Sequence, residues 1–218
     1  LLFGGLGNIP LLNFNEARRA VTVREMLAAH EWLIPRMNGE PYLSKPPLFY
    51  WLSLVSSDMA GVVNEWSMRL PAAIFAAICC MLVYQLGVRL HSDRVGLLAA
   101  IFSLANAGFS LHARSAEIEM ALSGLCVSSL MAAEYFLFTN TSRDDGDKRW
   151  ILSSYALLGA SLLTKGPVSV LFTVLPVAVF WLLDRNARAR IFLTSIPGWL
   201  LALAIGGSWY LAVSLREG

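Results

Sequence analysis

The residues able to do chemistry in this chain are cations and carboxylates gathered where apolar runs end. The stretch from Asn13 to Pro47, NFNEARRAVTVREMLAAHEWLIPRMNGEPYLSKPP, carries Glu16, Arg18, Arg19, Arg24, Arg36 and Lys45 and leads into segments apolar enough for a bilayer. Such a segment has to be held at the membrane surface. Arginine offers phosphate a planar fork of donors and lysine a compact point charge, so the stretch reads as the rim of a site for a lipid phosphate. The simpler use of the same cations is contact with anionic headgroups, worth roughly 1 kcal/mol per charge. Glu117 and Glu119 stand at the start of a later apolar run, where a helix dipole favours carboxylates. Lys165 lies in the tight turn TKGP, where it either snorkels to the interface or meets a phosphate. His30, His91 and His112 are isolated and lack the ligand spacing of a zinc site. Cys79, Cys80 and Cys126 lie inside apolar runs and read as packing residues.

The elements that must position these groups follow from composition and periodicity. The chain has 218 residues, 56% hydrophobic and 15% charged, against about 25% charged for a soluble domain. It reads as an all-α integral membrane protein. A net charge of +2 gives no case for nucleic acid. Residues 1–12, opening LLFGGLGN with neither an initiator Met nor a basic flank, read as the tail of a truncated first membrane helix.

From 13 to 66 an outer loop with interfacial helices is expected. Asn13 is a good N-cap with Glu16 three residues on, as in a capping box. Ala17, Ala20, Val21, Leu27 and Ala28 then fall on one face, with Asn15, Arg18, Arg19 and Thr22 on the other. MNGEPY carries turn signals, and residues 46–62 are short for a crossing and contain Ser56, Ser57 and Asp58. Residues 67–218 read as a bundle of about six spans, near 68–90, 95–113, 119–139, 150–164, 167–184 and 191–213. Arg89 and Arg94, then Arg143, Lys148 and Arg149, then Arg185, Arg188 and Arg190 mark alternate connections as cytoplasmic. The turns at 113–118 and 164–167 then face outward. The Asn13–Lys45 stretch shares that side only if 46–62 does not cross.

Five strings, NEARRAVTVREM, PRMNGEPYLSKPPLFYWL, RLPAA (69–73), ARSAEIEMAL (113–122) and LLTKGPV (162–168), resemble the amino-terminal membrane half of the polyprenyl-phosphate-dependent glycosyltransferases. That group includes the bacterial aminoarabinose transferase of lipid A modification and the protein O-mannosyltransferases. The resemblance implies a glycosyltransferase C-type fold whose carboxy-terminal part lies outside this chain. It also implies a sugar donor on undecaprenyl phosphate. The sugar would pass with inversion to a hydroxyl of a glycolipid, glycan or protein at the outer face of a bacterial inner membrane. The family pattern is Asp-Glu-x-Arg in the first loop, a Lys before a Pro pair and an acid in the second loop. Those positions hold Asn15, Glu16, Arg18, Lys45 and Glu119.

On this basis Glu119 and Glu16 are the catalytic candidates, and Arg18, Arg19, Lys45 and Lys165 the lipid-phosphate ligands. Asn15, Tyr42 and Glu117 are assigned to substrate. Departure of the phosphate leaves a dianion that fixed cations stabilise, and a carboxylate can help take the acceptor's proton. A divalent cation on Glu16 and Glu119 is compatible with this scheme but not required by it. Two departures stand out. Asn15 replaces an Asp and cannot serve as a base. Arg19 stands where Tyr is common, which suits a donor or acceptor with an extra negative group. Glu16 can equally be no more than a helix cap. Competing functions are a flippase for a lipid-linked sugar and a non-catalytic membrane subunit. Charges clustered in loops rather than at mid-membrane weigh against the flippase.

Overall fold

The structure, a computed structural model, describes residues 1–138 and 144–217, so Arg143 lies outside the described residues. The chain forms two compact units, Leu1–Gly124 and Leu125–Gly218.

In the first unit residues 1–12 are turns and bends instead of the tail of a helix. Their carbonyls have a different partner, given below. Helix α1, Phe14–Ala29, starts at Asn13, whose side chain accepts the Asn15 N–H, and ends at His30 in the left-handed region. Its buried face is Glu16, Arg19, Ala20, Thr22, Val23 and Met26. This corrects the expected apolar face: the helix turns two charged residues inward, which is tolerable only because each finds buried partners.

A two-residue strand, β1 (Arg36–Met37), pairs antiparallel with β2 (Glu40–Pro41). The Asn-Gly between them takes positive φ at both residues, 56° and 83°, as a tight hairpin demands. Glu25 accepts the N–H groups of Asn38 and Gly39, so α1 carries the hairpin. Helix α2, Leu48–Ala60, has 13 residues, about 20 Å at 1.5 Å per residue, too short for a bilayer core of about 30 Å. It packs against α1 through Phe49, Tyr50 and Leu54, with Val23, Met26, Met68, Ala116 and Ile118 in the same core.

Helix α3, Glu65–Leu90, opens with an Asn64–Ser67 capping box. The expected span 95–113 is two helices, α4 (Asp93–Ala105) and α5 (Ala107–Ala113), bent by 73° at Asn106. Asn106 explains the bend: its side chain caps α5 by accepting the Phe109 N–H. Gly87 and Gly96 let α3 and α4 nearly touch, since a Cβ on Gly87 would lie 2.6 Å from the Gly96 Cα. Helix α6, Ile118–Phe138, follows.

The second unit holds the rest of α6 with α7 (Asp144–Lys165), α8 (Val168–Asp184), α9 (Ala187–Leu193) and α10 (Ile196–Glu217). Small residues set its packing: a Cβ on Gly159 of α7 would lie 2.9 Å from the Ala202 carbonyl of α10. Ser129 and Ser154 exchange hydrogen bonds between α6 and α7, which satisfies polar groups that lipid would not. Among the described residues α3, α6 and α10 are long and apolar enough to cross a membrane, and the bent α4–α5 pair makes a fourth if it counts as one crossing. The protein is an all-α integral membrane protein.

Candidate active site

The first segment is fastened to the turn before α6 by a buried clamp. Arg69, near the start of α3, is 5% exposed and so is Glu16 of α1. Arg69 Nε donates to Glu16 Oε1 at 2.9 Å and Nη2 to Oε2 at 3.0 Å, a fork-to-fork pair. Its other hydrogens go to the carbonyls of Leu6, Ile9 and Pro10, so all five donors of the guanidinium are used. That is why residues 1–12 are not helical: their carbonyls point at a cation. Glu16 Oε1 also accepts the Ala116 N–H at 2.7 Å. Arg19, one turn along α1, donates to the Ala116 carbonyl at 3.1 Å and lies over the Phe49 ring. Both polar groups of one backbone residue in the second loop are thus held by α1.

This arrangement changes the parts read from the sequence for two residues. Glu16 neither completes a capping box nor presents a free carboxylate, because both oxygens serve Arg69 and Ala116. Arg19 is 4% exposed and donates to a backbone carbonyl, in place of the outward position that helical spacing suggests. In the sequence Arg69 stands only within the RLPAA string. Its signal was an arginine at the bilayer boundary of an apolar helix, a charge that costs about 2.5–3.5 kcal/mol at depth and therefore wants a partner.

Arg18 has the opposite environment. It is half-buried, its Nη2 donates to Asn15 Oδ1 at 3.0 Å, and its guanidinium carbon lies 5.4 Å from the ring centres of both Phe14 and Tyr42. Its Nε is buried with no hydrogen-bond partner among the described residues. Asn15 and Tyr42, assigned to substrate, therefore orient Arg18. Tyr50 lies within the field of both arginines. Burial pushes its hydroxyl up to about 12 despite Arg19 and Arg18, so it stays a donor through the physiological range. Lys45, half-buried ahead of Pro46, makes no hydrogen bond or ion pair with a described residue.

The carboxylates of the second loop meet the same segment. Glu117, 8% exposed, accepts from Asn13 Nδ2 at 3.0 Å through Oε1, and its Oε2 lies 3.2 Å from His112 Nδ1. His112, Glu117 and Glu119 each bring a ligand atom to within 4.8 Å of the others. The histidine that looked isolated in sequence therefore belongs to a cluster of possible metal ligands, and Glu16 does not. Lys165 ends α7 in the second unit.

Two of the cavities in the first unit adjoin these elements. One, of 330 Å³, borders the clamp at Asn13, Glu16, Arg69 and Arg114. The other, of 470 Å³, is lined almost wholly by apolar side chains of α2 and α3, among them Leu52, Val55, Met59, Trp66 and Ile74.

Comparison with known proteins places this geometry. The crystal structure of ArnT from Cupriavidus metallidurans bound to undecaprenyl phosphate matches 99% of this chain and 39% of its own, with a TM-score of 0.90 at 26% identity. The apo form of that protein matches with a TM-score of 0.89 at 25% identity. The undecaprenyl phosphate-alpha-4-amino-4-deoxy-L-arabinose arabinosyl transferase 1 of Sodalis glossinidius is 28% identical over 93% of the chain and 36% of the relative. An uncharacterized protein of Aquifex aeolicus is 31% identical over 97% of the chain and 41% of the relative. The chain thus spans about two fifths of the length of these relatives, and its fold is of the glycosyltransferase C type. A family model described as dolichyl-phosphate-mannose-protein mannosyltransferase matches residues 44–209, a range that takes in Lys45, Arg69 and Glu119, and the chain belongs to that family.

Proposed function

We propose that this chain carries the donor-phosphate end of a glycosyltransferase that moves a sugar, with inversion, from polyprenyl phosphate to an acceptor hydroxyl. The single observation that carries the reading is the contrast along α1. Glu16 and Arg19 hold the second loop at Ala116, which leaves Arg18, whose buried Nε no described residue engages, to meet an anion. Lys45 supplies a second cation. The leaving phosphate gains charge as the anomeric bond breaks, and fixed donors in a partly desolvated site stabilise that charge without reorganising. Asn15, Phe14 and Tyr42 hold the guanidinium in place. Glu119, at the first turn of α6, is the carboxylate that assists loss of the acceptor proton. The apolar cavity between α2 and α3 has the chemistry to take part of an isoprenoid tail.

The reaction belongs at the outer, periplasmic face of a bacterial inner membrane. The acceptor is a lipid A-like glycolipid, a glycan or a protein. Support comes from the relatives: the Sodalis protein is described as an undecaprenyl-phosphate arabinosyl transferase, and the Cupriavidus protein holds undecaprenyl phosphate. The test is transfer of a radiolabelled sugar from undecaprenyl phosphate by the full-length protein in detergent. Turnover that falls in Arg18→Ala, Lys45→Ala and Glu119→Gln supports the reading. Movement of the lipid-linked sugar across vesicles without transfer, or binding without turnover, overturns it.

A further inference from the structure

We propose that His112, Glu117 and Glu119 form a binding site for one divalent transition-metal cation of zinc-like ligand preference. The inference goes beyond the transferase reading and stands without it. The three side chains come from the end of α5, the connecting turn and the first turn of α6, and their ligand atoms all lie within 4.8 Å of one another. Ligand bonds of about 2.0–2.1 Å at a tetrahedral angle put neighbouring ligand atoms roughly 3.3 Å apart. His112 Nδ1 and Glu117 Oε2, at 3.2 Å, already have that spacing. Closing the Glu119 carboxylate onto the same point is a side-chain movement of roughly 1–2 Å, within the reach of a rotamer change.

The surroundings fit a ligand set more closely than a chance ion pair. Asn13 Nδ2 holds Glu117 Oε1, which turns Oε2 toward the histidine, the kind of outer hydrogen bond that orients metal-bound carboxylates. The loop carrying Glu117 is fixed at Ala116 on both its N–H and its carbonyl, so the ligands do not depend on a mobile turn. The Glu117 side chain is 11% exposed and that of His112 43%, so the cluster is closed on one side and open on the other. Three protein ligands with an open side match the pattern in which a fourth position is left to water or substrate. An imidazole beside two carboxylates favours zinc, iron or manganese over magnesium or calcium, which prefer oxygen throughout. A cation there would also relieve the repulsion between two carboxylates brought so close. In the proposed transfer it would make a bound hydroxyl more acidic, a part that a carboxylate alone performs less strongly.

The test uses the full-length protein in detergent, stripped with a chelator and titrated with Co²⁺ and with Zn²⁺. One ion per chain is expected, with the visible absorption of low-coordinate cobalt. His112→Ala and Glu119→Gln should each weaken uptake by more than the roughly 10–100-fold that loss of an outer hydrogen-bond partner costs. His112→Cys should keep cobalt and gain a thiolate-to-cobalt charge-transfer band, which shows that position 112 touches the metal. Thermal unfolding in chelator checks that the variants are folded. Uptake unchanged by His112→Ala and Glu119→Gln, or no uptake by a folded wild-type chain, overturns the site and leaves a simple His–Glu ion pair. Metal uptake without sugar transfer would keep this site and sink the transferase reading, and transfer without metal uptake would do the reverse.

Discussion

Arg18 and Arg19 are neighbours on one helix with opposite fates. Arg19 is 4% exposed, bonds the Ala116 carbonyl and packs over Phe49, while Arg18 is half-buried, braced by Asn15 and two aromatic rings, and keeps a buried donor that no described residue meets. Adjacent helical residues point about 100° apart, so one faces the second loop and the other turns away from that contact. The same chemical group thus does two jobs: one guanidinium is committed to holding the second loop, and the other keeps a buried donor available to a ligand. The clamp of Arg69, Glu16 and Arg19 makes the rim of Arg18 and Lys45 possible, because it fixes the helix on which Arg18 stands.

The comparison breaks most severely at Arg69. Arg69→Ala would leave Glu16 buried and uncompensated, which costs about 3–5 kcal/mol, and would release the carbonyls of Leu6, Ile9 and Pro10 as well. A lower unfolding temperature in detergent and proteolysis near residues 1–12 are the expected readings. Replacing both partners, Arg69→Met with Glu16→Leu, should recover only the part due to the stranded carboxylate, because the carbonyls of Leu6, Ile9 and Pro10 and the Ala116 N–H still lose their partners. If Arg69→Ala unfolds like the wild type, the clamp is not what holds the segment.

The rim should behave differently. Glu119→Gln is expected to lower the rate of sugar transfer by about 10²–10⁴-fold, the usual range for losing a general base, with donor binding little changed. Arg18→Ala should weaken donor binding by roughly 10–100-fold, corresponding to about 1.5–3 kcal/mol for a charged hydrogen bond, and leave unfolding nearly unaltered. Arg19→Ala should do the reverse. It orphans a buried carbonyl at a cost of about 1–3 kcal/mol, so the unfolding temperature falls while the folded fraction still binds donor. Parallel binding and unfolding curves for the two variants decide the matter. Equal losses of binding would mean that both arginines meet phosphate after all.

What the sequence made legible was local. Asn-Gly announces the hairpin at 38–39, the shortness of 46–62 argues against a crossing, and long apolar runs mark α3, α6 and α10. Cations followed by Pro-Pro mark the segment in which Arg18 and Lys45 stand. The clamp was not legible, because Arg69 and Glu16 are 53 residues apart and Ala116 is 100 from Glu16, and no periodicity links such positions. Helical spacing placed Arg19 on the polar side because a charge is assumed to seek water. The structure shows that a paired charge can take the buried side instead. His112 is illegible for a related reason: the break at Asn106 and the turn before Ile118 fold i, i+5 and i+7 into one cluster, a spacing that no single helix produces.

The smallest effect separates two functions of Asn13. Its Oδ1 caps α1 by accepting the Asn15 N–H, and its Nδ2 donates to Glu117, so Asn13→Ala removes both and should cost about 1–2 kcal/mol. Asn13→Asp keeps an oxygen for the cap and improves its interaction with the helix dipole, normally a stabilising change. Here it would set a second carboxylate about hydrogen-bond distance from the buried Glu117 and delete the donor that joins helix to loop. Repulsion should outweigh the cap, so Asn13→Asp is expected to be less stable than Asn13→Ala near neutral pH and to recover as acid protonates one of the two carboxyls. Asn13→Ser, which caps but is too short to reach Glu117, should fall between wild type and Asn13→Ala. That order of unfolding temperatures ties the start of α1 to the second loop. An Asn13→Asp chain as stable as wild type at neutral pH would show that the cap alone matters there and that Glu117 turns elsewhere.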